Sequence, residues 1–276
     1  MAETGTTLTL KQDLMTSLEK AKDSLPKGFK TERFVDNAIG TLTKNSVVSD
    51  FVKKNGALGM AQLKSALMRA AYTGMDYTSG EYYLYPFGST LNFSLSPKGT
   101  RKMLKKYSTE PIVKGPHSFL VYEGETFKHV FKDDIPWFEY IPSEESERIG
   151  KNVIGACAYV VFANGDKRYE YMNVNQINAC KKKSKTSNQG PWVEFWDRMA
   201  LKTVLHRLAN SIDTDFDSIE QGEVFAEDMA ITNDPQEIRD NEVMSGANSI
   251  DFEEVEDAEV KPVPAEEIDK MVTPFQ

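Results

Sequence analysis

The chain has 276 residues, of which 40% are hydrophobic, enough for one substantial core or two small ones. No run approaches the ~18 apolar residues of a membrane span, the start lacks the charged and apolar segments of a signal peptide, and Cys157 and Cys180 show no zinc or redox spacing, which together predict a reduced, cytoplasmic chain. The net charge of −9 argues against a nucleic-acid partner only until its distribution is read: residues 213–276 hold 20 acidic against 3 basic side chains, leaving 30 basic against 22 acidic before them. A basic body with an acidic tail is a pattern of polyanion binding with self-regulation or partner docking; a tail kept acidic for solubility is the bland alternative.

Residues 1–30 are polar, with a weak helical pattern through Leu10, Leu14 and Leu18 that Pro26-Lys27-Gly28 ends, and are expected to form a flexible N-terminal arm. From Thr31, a capping residue, Phe34, Val35, Ala38, Ile39 and Leu42 recur at helical spacing. Val47, Val48, Phe51 and Val52 predict a shorter helix closed by Asn55-Gly56. Met60, Leu63, Leu67, Ala70 and Ala71 form a further stripe ending at Gly74, read as core, with a subunit contact as the alternative.

After Gly74 the period changes. Glu81 to Phe87 and Thr90 to Leu95 are rich in aromatic and β-compatible residues around Gly88-Ser89, which predicts a hairpin, with Pro86 implying an edge or a bulge. Most of its aromatics are expected in a core; Tyr85, Phe87 and Phe93 are the candidates for stacking on bases. Ser96-Pro97 then starts a helix as cap and first helical residue. Lys98, Arg101, Lys102 and Lys105 fall on one face with no acid from Lys98 through Lys106. Like charges at this spacing repel, so the row points to phosphate contact rather than to a merely solvated face.

Residues 111–141 read as further strands, with turns at Gly124 and at Asp133-Asp134-Ile135-Pro136. Adjacent carboxylates in a strand point to opposite faces, so Asp133 and Asp134 make no nuclease signature. His117, His129 and His206 lack ligand spacing and an acid or nucleophile partner, and no metal site is expected. Asn152 to Ala163 is a strand whose small residues, Gly155 to Ala158, suggest close packing by a helix; Asn164-Gly165 turns it into Lys167 to Met172.

The stretch from Asn173 to Leu208 concentrates the chemistry. A helix capped by Asn173 ends in Lys181, Lys182 and Lys183. Lys185 follows in a polar loop, and Pro191 opens a second helix carrying Trp192, Trp196, Arg198, Lys202, His206 and Arg207. At ~100° per residue, Lys202 falls about 40° from Arg198, so the two are expected to share a narrow cationic stripe on a mostly buried helix. Arg207 lies off that stripe, reaching a second part of a groove or the helix-end carbonyls. The tryptophans are expected to be core anchors.

The order AAYTGMDYTSGEYYLYPF, SLSPKGTRKMLKK, EGETF, the strand pair around Asn164-Gly165 and SKTSNQGPWVEFWDRMALKTVLHRL resembles the RecT family of phage and prophage single-strand annealing proteins over roughly residues 31–212. The resemblance implies a small α+β core shared with phage Redβ; with the residue patterns above, this gives antiparallel hairpins packed with helices, a helical N-terminal part and, from residue 213, an acidic tail or a small helical module. It implies ATP-independent binding and annealing of single-stranded DNA in phage-type recombination, as a ring or helical filament of identical subunits. A partner exonuclease, aid from Mg²⁺ without a stably bound cofactor, and docking of the tail on the host single-strand-binding protein are implied too. No Gly-x-x-x-x-Gly-Lys-Ser/Thr loop occurs, which suits a protein without nucleotide hydrolysis. The residues expected to hold phosphates are Lys98, Arg101, Lys105, Lys181, Lys182, Lys183, Lys185, Arg198, Lys202 and Arg207. A passive single-strand coating protein is the alternative.

Overall fold

A computed structural model describes residues 2–132, 135–184, 187 and 191–230. The chain divides into two units, Met1–Asp234 and Pro235–Gln276, and the described residues all lie in the first. The fold is α+β, with a helical N-terminal part and small antiparallel sheets.

The leading helix, α1 (Ala2–Lys20), buries Leu10, Leu14 and Leu18, which recur every fourth residue and so share one face. Each fully buried leucine contributes roughly 2 kcal/mol, which is why the stretch expected to be a loose arm packs instead against α2 (Thr31–Lys44) and α3 (Ser46–Thr73). Asn45 caps α3 by accepting the Val48 amide at 3.2 Å. Gly56 breaks α3 internally with φ 54 and ψ −128, where the sequence predicts the end of one helix and the approach of another. Gly74 closes it in the left-handed region.

Strands β1 (Tyr82–Phe87) and β2 (Thr90–Leu95) form the predicted hairpin, Phe87 opposite Thr90 across Gly88-Ser89. It packs on α3, with Tyr82, Leu84, Leu91 and Leu95 inward. Ser96 caps α4 (Pro97–Tyr107), accepting the Gly99 amide at 3.1 Å and donating to the Gly80 carbonyl at 2.7 Å.

Strands β3 (Ile112–Tyr122), β6 (Val153–Phe162) and β7 (Lys167–Asn173) make the main sheet, with β6 central. Period-2 alternation splits β6 between two environments. Ala156, Ala158 and Val160 join the main core, where helix α7 (Trp196–Asn210) packs on the sheet. Cys157 and Tyr159 share the opposite face with Phe119, Tyr169 and Tyr171, their register partners. A second hairpin, β4 (Thr126–Lys132) and β5 (Ile135–Ile141), covers that face with rings: Phe127 lies 4.6 Å from Tyr171, and Phe119 4.5 Å from Tyr140. The small residues of β6 therefore admit a helix on one side and an aromatic layer on the other. Glu125, its side chain fully buried in the β3–β4 turn, anchors the hairpin by accepting from the Tyr122 amide, the Tyr140 hydroxyl, Ser143 and Arg148.

Asn173 and Gln176 form a capping box for α5 (Val174–Lys183). The helix expected to run unbroken from Pro191 is instead a single turn, α6 (Pro191–Glu194), and then α7, because Phe195 leaves helical geometry (φ −137, ψ 50). The segment from residue 213, expected to lie outside the core domain, returns to it. The Thr109 amide donates to the Asp213 carbonyl at 3.0 Å, Phe216 packs at a tilt with its ring 5.2 Å from Tyr107, and α8 (Ile219–Met229) buries Val224, Phe225 and Met229. Charge counting grouped these residues with the acidic tail, but their apolar side chains complete the core. The remainder of that tail, 231–276, lies outside the described residues.

Candidate nucleic-acid interface

Two helices present cations. On α4, Gly99, Thr100, Met103, Leu104 and Tyr107 are buried, so Lys98 and Lys105 are left exposed and Arg101 half-buried. Lys98 Nζ reaches back to the Ser79 carbonyl at 2.8 Å. Lys102, on the same arc, bridges the Gly74 carbonyl at 2.8 Å and Glu81 at 2.7 Å. The Arg101 Nε is buried without a hydrogen-bond partner among the described residues.

On α5, only Ile177 is fully buried, and the helix ends in half-buried Lys181 and exposed Lys182 and Lys183. Cations here complement the helix dipole, which lowers the cost of clustering them. No ion pair involves Lys181 or Lys182 among the described residues. Lys185 lies outside the described residues, as do Asp133 and Asp134. Because α7 touches both α4 and α5, the two lysine-bearing helices share one scaffold. Trp196 ties α7 to α5 directly, its Nε1 donating to Asn178 at 3.0 Å, while Trp192 is buried as an anchor.

The cations of α7 part company. Arg198 is exposed, its guanidinium 5.4 Å above the half-exposed ring of Phe195. Arg207 is paired with Glu170 at 3.2 Å. Lys202 points inward and donates to Ser94 Oγ at 2.7 Å. Burial pushes its ammonium down from the usual lysine range, against the pull of Asp228. The stripe expected of Arg198 and Lys202 therefore does not form. The wheel placed them 40° apart, but the fold turns Lys202 toward β2 and α8, where Asp228 supplies its counter-charge. His206, one turn on, is also buried, with Nε2 3.8 Å from Asp228 Oδ2. Burial, reinforced by Lys202, holds the imidazole well below its usual range and so neutral. Burial pushes the Asp228 carboxyl up, opposed by Lys202. The i, i+4 spacing of Lys202 and His206 carried a signal for this cluster; its acid, on a helix beyond residue 212, was not foreseen.

The hairpin aromatics divide by strand alternation. Tyr83 and Tyr85 face outward, 50% and 41% exposed, and Phe87 continues that face half-buried. Phe93 turns inward, 5.3 Å from Tyr82 and beneath the Arg69 guanidinium, so of the three stacking candidates it is the one committed to packing. Tyr83 has the same outward aspect as Tyr85.

Among the described residues no three His, Cys, Asp or Glu side chains converge on a metal position, and no helix is long and apolar enough to cross a membrane. The described surface thus offers ammonium and guanidinium groups on two helices and exposed tyrosine rings on the first hairpin.

The chain is 26% identical to Protein RecT of Escherichia coli (strain K12) over 239 residues, 84% of this chain and 83% of that protein. It is 30% identical over 191 residues to Uncharacterized protein YqaK of Bacillus subtilis (strain 168), covering 66% of this chain and 64% of the relative. The family model described as the RecT family matches residues 32–243, a span that takes in both cationic helices, both hairpins and α8. With most of its length matched in this way, the chain belongs to the RecT family.

Proposed function

We propose that this protein binds single-stranded DNA through its cationic helices and pairs complementary strands without nucleotide hydrolysis, within an assembly of identical subunits. Membership of the RecT family makes it a protein of phage-type recombination and strand annealing. The observation that carries the finer reading is the pair of lysine-bearing helix surfaces on one scaffold: Lys98, Arg101 and Lys105 on α4, and Lys181, Lys182 and Lys183 at the end of α5. Backbone phosphates are held there, and Arg198 extends the cationic surface beside Phe195. Lysines that hold phosphates leave bases free to test a second strand, so pairing itself supplies the specificity. Neutralised phosphates also lower the repulsion between the two strands. The outward faces of Tyr83 and Tyr85 are platforms on which unpaired bases stack. Mg²⁺ assists by screening phosphates and is not held by the protein. An exonuclease that produces single strands is the functional partner, and the acidic segment beyond residue 230 is the contact for a host single-strand-binding protein.

A strand-pairing assay tests the proposal. Complementary oligonucleotides are mixed with the full-length protein, hybridisation is followed by fluorescence transfer, and the assembly is sized in parallel. Faster pairing within a multi-subunit complex is expected, with no effect on non-complementary strands. Binding without acceleration would make this a passive coating protein. A monomer that leaves the hybridisation rate unchanged refutes the mechanism.

A further inference from the structure

A cavity of about 310 Å³ lies between residues 26–30, α2, the turn after α3, and α4, a size at the lower end for small-ligand pockets. Its wall is cationic: Lys27, Lys30, Arg33, Lys102 and Lys106 line it against a single carboxylate, Asp76. Asp76 is already engaged, accepting the Thr78 amide at 2.8 Å and hydroxyl at 2.6 Å. Lys102 is tied to Glu81, and Lys27 stands 4.0 Å from Asp217. Lys30 and Arg33 make no ion pair among the described residues, and Arg33 is attracted electrostatically to Asp76. Burial, together with repulsion from Lys102 and Lys27, pushes the Lys106 ammonium down, although Asp217 pulls the other way. The wall thus holds more positive charge than its own acids offset, and an anion would relieve the excess.

The floor is aromatic. Phe29 and Phe34 stand 5.2 Å apart, Tyr77 and Tyr82 5.6 Å apart, and Tyr107 closes the base beneath Lys106. Phe29 and Tyr77 line the cavity and are only half-buried. A ligand that satisfies both parts has a flat ring for the floor and an anionic group for the wall. Inorganic phosphate has no ring, and an apolar ring alone leaves the charge unrelieved.

We propose that this cavity takes one nucleotide unit of a bound DNA strand, base against the Phe29–Tyr77 floor and phosphate on Lys30, Arg33 and Lys106. The inference rests on the single-strand binding argued above and adds a discrete holding point to a sequence-neutral surface. Ring faces accept any base, so the pocket has no sequence preference. The room available fits one unit, either a strand end or a single nucleotide turned out of the run.

The test uses full-length protein and oligonucleotides carrying 2-aminopurine at the 5′ end, the middle or the 3′ end, each with a remote fluorescein. Anisotropy reads total binding and 2-aminopurine emission reads ring contact. The wild type is expected to quench at least one position severalfold, and the position distinguishes a strand end from an internal unit. The double variant Lys30→Glu/Arg33→Glu changes two side chains outside the core; circular dichroism checks its fold. It should lose that quenching and bind about fivefold or more weakly, the scale of one lost base contact. A second variant, Tyr77→Leu, should lose quenching while keeping the cations. Full binding with unaltered emission at every position, or equal quenching in the variants, overturns the pocket and leaves single-strand binding standing. Absence of any anisotropy change refutes both. Displacement of the probe by an acidic, phenylalanine-containing peptide but not by a deoxynucleoside monophosphate would overturn the nucleotide assignment.

Discussion

Replacing Glu125 with Gln should cost about 3 kcal/mol at neutral pH, and the cost should fade in acid. Burial by itself would raise the carboxyl. Instead the Tyr122 amide at 2.9 Å, the Tyr140 hydroxyl at 2.7 Å and the Ser143 amide and hydroxyl at 3.1 and 2.9 Å lower it to about 2 from an ordinary 4.5. Arg148 Nε adds a contact at 2.8 Å. That difference, at about 1.36 kcal/mol per pKa unit, corresponds to about 3 kcal/mol of preference for the carboxylate in the folded protein. A depressed carboxyl stabilises fully above its unfolded value and loses that contribution as pH falls from 4.5 toward 2. The gap between wild type and Glu125→Gln should therefore shrink to about 1.4 kcal/mol near pH 3, from linkage between the two states. Urea unfolding followed by tryptophan emission and far-ultraviolet circular dichroism at both pH values measures it. Trp137 sits on the hairpin that Glu125 anchors and reports locally. A gap below about 0.5 kcal/mol at neutral pH, the scale of an ordinary surface substitution, or one that stays constant into acid, would refute the reasoning.

The other predictions concern charge and packing. Lys202→Ala should destabilise by about 1–3 kcal/mol, because it removes the buried hydrogen bond to Ser94 Oγ and the attraction to the buried Asp228. The salt dependence of single-strand binding should stay unchanged, and a reduced slope would return Lys202 to the phosphate surface. Replacing Lys181, Lys182 and Lys183 together with Ala should flatten the log–log salt dependence by about 2, at roughly 0.7 per lost contact, with the fold intact; an unaltered slope removes the end of α5 from the interface. His206 stays neutral when folded, so below its ordinary 6.5 the unfolded chain gains a proton that the folded one does not, and stability declines with acid. His206→Gln should flatten that limb of a stability–pH profile. A Cβ at Gly99 would run into the Glu81 carbonyl oxygen, a backbone atom that cannot swing aside as a flexible side chain could. Gly99→Ala should accordingly lower the denaturation midpoint by more than a surface substitution does, and a midpoint equal to wild type would show that α4 can shift freely.

Local chemistry made much of this fold legible in advance. The Gly88-Ser89 and Asn164-Gly165 turns, the Ser96-Pro97 helix start, the Asn173 cap and the break at Gly56 each depend on residues within a few positions of one another. The order of motifs pointed to the family for a related reason, since each motif is a local run. Misreadings arose where a distant segment supplied the partner. Leu10, Leu14 and Leu18 looked like an arm because nothing nearby shows the α2 and α3 surfaces that bury them. The acid-rich residues after 212 looked like tail because counting charge hides Phe216, Val224 and Phe225.

The same distinction governs the cations. Sequence alone determined that α4 and α5 carry lysine rows without internal acids, because helical spacing suffices to set which side chains share a face. Only the tertiary structure decided which cations meet solvent. Ser94 and Asp228 take Lys202 inward, Glu170 neutralises Arg207, and Phe195 holds Arg198 at the surface. Only it gathered the cations of two helices and a loop over one aromatic floor. A charge is available to DNA when no other part of the chain has claimed it, and that depends on packing between elements which periodicity within one element does not encode.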